Sequence, residues 1–83
     1  MEKRMIQLDV PAIGKTYDIW VPKQVPVSEV SRTLALGVKE MSDGMYFPSG
    51  REMIIDLKAQ RLLNPACTLE DYNIGDGDEL LLV

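Results

Sequence analysis

Thr68-Leu69-Glu70-Asp71-Tyr72-Asn73-Ile74, followed after Gly75-Asp76-Gly77-Asp78 by Glu79-Leu80-Leu81-Leu82-Val83, is the stretch whose reading decides the fold. Thr68 is a residue type that caps helices, so residues 68–72 predict a single helical turn. Residues 73–78 concentrate Asn, Asp and Gly and predict a loop, with Asp76-Gly77-Asp78 a turn in which glycine takes positive φ. Residues 80–83 form the longest apolar run in the chain, and residues 79–83 predict its last strand.

Working back from that ending, Ile6, Leu8 and Val10 alternate with Gln7 and Asp9, the period-two pattern of a strand with one buried face. Residues 11–15 supply turn residues. Tyr17, Ile19 and Val21 then alternate with Asp18 and Trp20, so the chain opens with a β-hairpin. Pro22 and Pro26 bracket a connection, because proline cannot donate to a ladder but suits a helix start. From there the period changes. Val27, Val30, Leu34, Val38 and Met41 recur every three or four residues and predict an amphipathic helix, with Glu29 near its start and Lys39 near its end matching the helix dipole. Gly37 weakens that helix by about 1 kcal/mol relative to alanine, and a close approach of helix to sheet is the expected reason. Asp43-Gly44 ends the helix.

Residues 45–51 read as loop, and Met41, Met45, Tyr46 and Phe47 are expected to close the open end of the core. Met53, Ile55 and Leu57 alternate with Ile54, Asp56 and Lys58 in a third strand, and Leu62-Leu63 is the stub of a fourth. The order is ββαββ with a helical turn before the last strand. It predicts an α+β fold, one helix packed on a mixed sheet of four to five strands, in a single domain over residues 1–83.

Composition bounds the partners. The chain has 83 residues, 46% of them apolar and 27% charged, as expected of one globular domain. Acidic residues outnumber basic ones 13 to 9, a net charge of −4, which argues against nucleic acid and against anionic membrane surfaces. No apolar run reaches the length of a membrane span or of a secretory leader, so the expected location is the cytoplasm. One cysteine, Cys67, cannot form an internal disulfide, which fits a reducing compartment.

The closing stretch resembles that of ubiquitin, where a Thr-Leu-x-Asp-Tyr-Asn-Ile turn leads into the last strand. In that motif Leu69 and Ile74 would plug the core, while Asp71 and Tyr72 tie down the irregular connection. A broader resemblance covers nearly the whole chain. Residues 17–22 (Tyr-Asp-Ile-Trp-Val-Pro), residues 25–30 (Val-Pro-Val-Ser-Glu-Val), Leu62-Leu63 and Asp71-Tyr72-x-Ile74-x-Asp76-Gly77-Asp78 are similar to the YukD/EsaB family. These are bacterial ubiquitin-like proteins that accompany type VII (WXG100, ESX-like) secretion systems. The resemblance implies a ubiquitin-like β-grasp and a non-catalytic accessory or regulatory role. It implies as partner a secretion-system membrane component or ATPase. The alternative is a general ubiquitin-like scaffold or homo-oligomerising adaptor unrelated to secretion. Conjugation and sulfur carriage are not expected, because the last strand runs to Val83 with no Gly-Gly after it.

Catalytic chemistry finds no constellation to use. With no histidine, histidine-based triads and ligands are ruled out. Cys67 reads as a small residue in a turn. Asp76, Asp78 and Glu79 lack the further spaced oxygen ligands of a calcium loop, so neither metal nor cofactor is expected. The expected site is a binding face. If Ile6, Leu8, Tyr17, Ile19, Ile55, Leu57, Leu80 and Leu82 point inward, then Trp20, Ile54, Leu81 and Val83 point outward. With the last strand between the first and third, Ile54, Leu81 and Val83 become neighbours, with Trp20 nearby. An exposed apolar patch on a small domain marks an interface. The alternatives are that residues 45–51 cover Ile54 and Leu81, or that the register is shifted by one and these residues are core. Trp20 could equally pack on Pro11 or Pro22, and Leu36, opposite the helix's apolar stripe, is a second contact or a lone exposed leucine.

Overall fold

A computed structural model describes residues 2–83; Met1 lies outside them. The two alternating runs form β1 (Lys3–Val10) and β2 (Lys15–Pro22), an antiparallel hairpin in which Ile6 faces Ile19 and Leu8 faces Tyr17. A single 3-10 turn, Pro11–Ile13, connects them. It closes on Gly14 at φ 63°, a left-handed conformation that glycine takes without steric cost.

Helix α1 (Val27–Met41) buries Val27, Val30, Leu34, Ala35 and Val38. Met41 leaves the predicted stripe and is 49% exposed. Pro26 stands at the N-cap without a side-chain acceptor for the helix. The first helical donors are satisfied from a distance instead: Val27 N–H donates to the Cys67 carbonyl at 2.7 Å and Ser28 N–H to the Pro65 carbonyl at 3.0 Å. The helix stops where Asp43 and Gly44 both take positive φ. A Cβ built on Gly37 would meet nothing within 4 Å, so the expected close approach to the sheet is not the reason for this glycine.

Strands β3 (Ile54–Asp56), β4 (Arg61–Leu62) and β5 (Glu79–Leu82) complete a mixed sheet in the order β2-β1-β5-β3-β4. β5 runs parallel to β1 and antiparallel to β3, so the last strand is the central one. The inner face of the sheet packs under α1. Ile6, Leu8, Ile54, Leu69 and Leu80 have no exposed surface there.

The closing stretch works as its residues suggest. The single turn is Glu70–Tyr72. Thr68 and Asp71 form a reciprocal pair: Asp71 N–H donates to Thr68 Oγ1 at 3.1 Å, and Thr68 N–H to Asp71 Oδ2 at 2.9 Å. Tyr72 Oη accepts from Asn64 N–H at 2.8 Å, while Leu69 and Ile74 fill the core. Gly77 takes φ 85°, and the carboxylates beside it serve the backbone. Asp76 accepts from Met5 N–H at 2.9 Å and Asp78 from Gly75 N–H at 2.8 Å.

One parity is reversed. Ile54 was expected to face outward, but it is fully buried opposite Leu82; Ile55 faces outward in its place. Strand pairing forces this result. Leu80 and Leu82 face the core, so their partners Asp56 and Ile54 must as well. The core position of Asp56 is made tolerable by the Arg61 guanidinium 3.9 Å away at the sheet's end.

Candidate functional site

The open face of the sheet carries the candidate site. Ile55 on β3 pairs with Leu81 on β5 and with Leu62 on β4. Met53 and Val83 exchange backbone hydrogen bonds of 2.8 and 2.9 Å, and they share the outward parity of Ile55 and Leu81. Met53, Leu62 and Val83 are each about half exposed, while Ile55 and Leu81 are intermediate. These five side chains form one apolar patch across three strands. Polar groups bound it on the β1 side, where Asp9 lies opposite Leu81 and accepts a 3.0 Å hydrogen bond from Thr16 Oγ1. On the other face of the sheet, beneath β4, Arg61 pairs with Asp56 and stacks over the Tyr72 ring, 4.5 Å from its centroid.

Of the expected site residues, Leu81 and Val83 lie in this patch and Ile54 does not. Trp20 is exposed, at 58%, but it is not beside them. It pairs with Met5, four residues along the hairpin from the Thr16–Asp9–Leu81 row, which puts it roughly 16 Å from Leu81. Gln7, Asp18 and Glu79 occupy the rows between. Ile55, Leu62 and Met53 are the members that periodicity missed. The signal that could have found Leu62 was its place immediately before a leucine that is buried, Leu63.

With five apolar members rimmed by an Asp–Thr pair, and with Asp76 and Asp78 already holding backbone donors, the arrangement offers contact area rather than reacting groups. No cluster of potential metal ligands is found among the described residues, and no helix among them is long and apolar enough to cross a membrane.

Residues 5–82 match the family described as "WXG100 protein secretion system (Wss), protein YukD". The chain belongs to the YukD family. This YukD-family fold is shared with solved ubiquitin-like domains. One from Arabidopsis thaliana is 15% identical, with a TM-score of 0.74 over 100% of this chain and 78% of that one. Caldiarchaeum subterraneum ubiquitin is 22% identical, with a TM-score of 0.69 over 98% and 91%. The ubiquitin-like domain of Plasmodium falciparum Dsk2 is 15% identical, with a TM-score of 0.70 over 99% and 100%. No curated protein matches the chain significantly. At these identities the structures establish a ubiquitin-like β-grasp for this YukD-family chain and nothing of its partners.

A second apolar feature lies beside the sheet. The expected closure of the core by residues 41–47 is carried by Tyr46 alone; Met45 is 60% and Phe47 81% exposed. Tyr46 is held by Glu52, whose carboxylate accepts from the Tyr46 hydroxyl at 2.8 Å and from the N–H groups of Ser49 and Gly50. Burial, with Glu52 beside it, raises the Tyr46 hydroxyl to about 12. Burial alone would raise Glu52, but the Ser49 N–H and the Tyr46 hydroxyl outweigh it and hold the carboxyl below its ordinary value. Because the folded state lowers the Glu52 value, its contribution is complete above the ordinary value of 4.5 and lost as pH falls below it. Tyr46 has the opposite sign, its contribution being complete below 10 and lost as pH rises toward about 12. Glu52→Gln is therefore expected to cost about 1–2 kcal/mol in urea unfolding at pH 7. That difference should shrink toward zero as pH falls below about 4; a cost that stayed constant from pH 7 to pH 3 would remove the charge from the explanation.

Proposed function

We propose that this YukD-family chain is a non-catalytic, cytoplasmic docking module of a WXG100 secretion system, bound to a protein component of the machine through the open face of its sheet. The observation that carries the proposal is the contiguous patch of Met53, Ile55, Leu62, Leu81 and Val83, three of them half exposed on a domain this small. Family membership supplies the machine, and the patch supplies a surface of the kind that protein partners cover. The chain's net acidity agrees with a protein partner in preference to nucleic acid.

Capture from the native cell tests this. Tagged wild-type chain is expected to recover a secretion ATPase or a membrane component of the system, and Leu81→Asp to recover at least tenfold less of it, since the substitution puts a charge within the patch. Leu81→Asp should keep a wild-type circular dichroism spectrum. Recovery of the chain alone, together with a stable oligomer in light scattering, would favour a homo-oligomeric scaffold and overturn the secretion role.

A further inference from the structure

The opposite edge of the sheet supplies a second binding element, independent of the open face. β2 is an edge strand. Its free side can be assigned from its neighbour. Met5 C=O accepts from Gly77 N–H, and Gln7 N–H donates to Asp78 C=O, so these two residues turn their backbones toward β5. Ile6 and Leu8 therefore turn theirs toward Ile19 and Tyr17 of β2. By the same alternation Thr16, Asp18 and Trp20 aim their N–H and C=O groups outward, where no other described segment bonds them.

Alongside that edge runs a groove of about 590 Å³ between β2 and α1, mostly apolar, with Ile19, Val21, Val30 and Leu34 among its lining. Its helical wall is built at intervals of three and four by Glu29, Thr33, Gly37, Glu40 and Met41. Gly37 has the conformation of an ordinary helical residue, and a Cβ there would meet nothing within 4 Å. The space left beside it is therefore groove space.

We propose that β2 and this groove bind an extended peptide segment of a partner protein by strand addition, a segment with alternating β-branched apolar residues and basic residues at its two ends. Strand addition uses the free backbone groups of Thr16, Asp18 and Trp20 for affinity, and the groove takes every second side chain. The other side chains of the added strand lie toward Trp20. The charge follows from Glu29 and Glu40, which stand at the groove's helical wall some 11 residues apart, roughly 16 Å along the helix. An extended chain spans that distance in about five to six residues. Pairing of two copies through the same edge would bring these acidic walls together on chains that each carry a charge of −4, which disfavours a second copy as occupant.

A seven-residue synthetic peptide with lysine at each end and isoleucine or valine alternating with threonine between them tests the site. A version with glutamate at the ends and one with a central proline serve as controls. Trp20 is the protein's one tryptophan, so its fluorescence reports binding at the edge. The lysine-ended peptide is expected to saturate that signal and to slow exchange of the Thr16, Asp18 and Trp20 amides at least tenfold. The two control peptides should bind about tenfold more weakly. Gly37→Leu, whose Cβ meets no neighbour and whose side chain extends into the groove, should keep the thermal midpoint at or above wild type and lose binding by a factor of about ten or more. The pair Glu29→Lys and Glu40→Lys should reverse the preference between lysine- and glutamate-ended peptides. Unchanged amide exchange at the three edge residues overturns the proposal, as does wild-type binding by Gly37→Leu. Perturbation confined to Ile55 and Leu81 would place the peptide on the open face, and dimer formation without peptide would give the edge to a second copy. Either result overturns strand addition but leaves the open-face reading standing or stronger.

Discussion

Ile54→Asp is expected to leave no cooperative unfolding transition at 25 °C, while Ile55→Asp, one residue along the strand, is expected to fold and to lose its partner. Ile54 has no exposed surface and sits against Leu82 in the centre of the core. A carboxylate placed there has no cation or donor arranged for it, and such burial costs more than about 4 kcal/mol. A domain of this size has roughly 4–12 kcal/mol in total. Ile55 points to the open face between Leu81 and Leu62, so its replacement loses cross-strand contact worth about 1 kcal/mol and puts the new charge in water. Urea unfolding followed by circular dichroism measures the first effect, and partner capture the second. An Ile55→Asp variant less stable than Ile54→Asp would restore the opposite parity to β3.

The second large effect is expected at Leu69. This side chain is fully buried, and together with Ile74 it anchors a segment that is otherwise held by polar contacts. Leu69→Ala should cost about 3 kcal/mol, the removed methyl groups and the cavity acting together. It also loosens the carbonyls of Pro65 and Cys67 that receive the first donors of α1. Tyr72→Phe, which removes the acceptor for Asn64 N–H, should cost about 1 kcal/mol by comparison. Both are read as a lower urea midpoint at unchanged slope, and a changed slope for Leu69→Ala would mean that the segment had come away rather than repacked.

These two sites mark how far residue patterns reach. Leu69, Ile74 and Tyr72 could be placed from the sequence because the side chains of Thr68, Asp71 and Tyr72 form a local motif, their hydrogen bonds spanning eight residues or fewer. The hairpin and helix were legible for the same reason, since each has one dominant period over eight or more residues. β3 has only three residues, and apolar side chains occur on both of its faces. Its parity is set by β5, some 25 residues later, and by the Asp56–Arg61 pair that lets a carboxylate face inward. Strand order also separated Trp20 from Leu81. The sequence places both on the outward face, but not how many rows lie between them. Gly37 looked like a packing residue because glycine within a helix usually is; only the empty space around it shows otherwise.

The last strand of the sheet is its middle one, and this has a consequence for biosynthesis. While the ribosome is still delivering residues 79–82, β1 has β2 as its only neighbour, and β3 and β4 have nothing to join. The nascent hairpin and helix must wait with Leu8 and Ile54 unsheltered until Leu80 and Leu82 leave the exit tunnel. Folding of this domain is therefore tied to the emergence of its last strand, and a stall before codon 80 would hand a sticky, strand-rich fragment to chaperones rather than a smaller working domain.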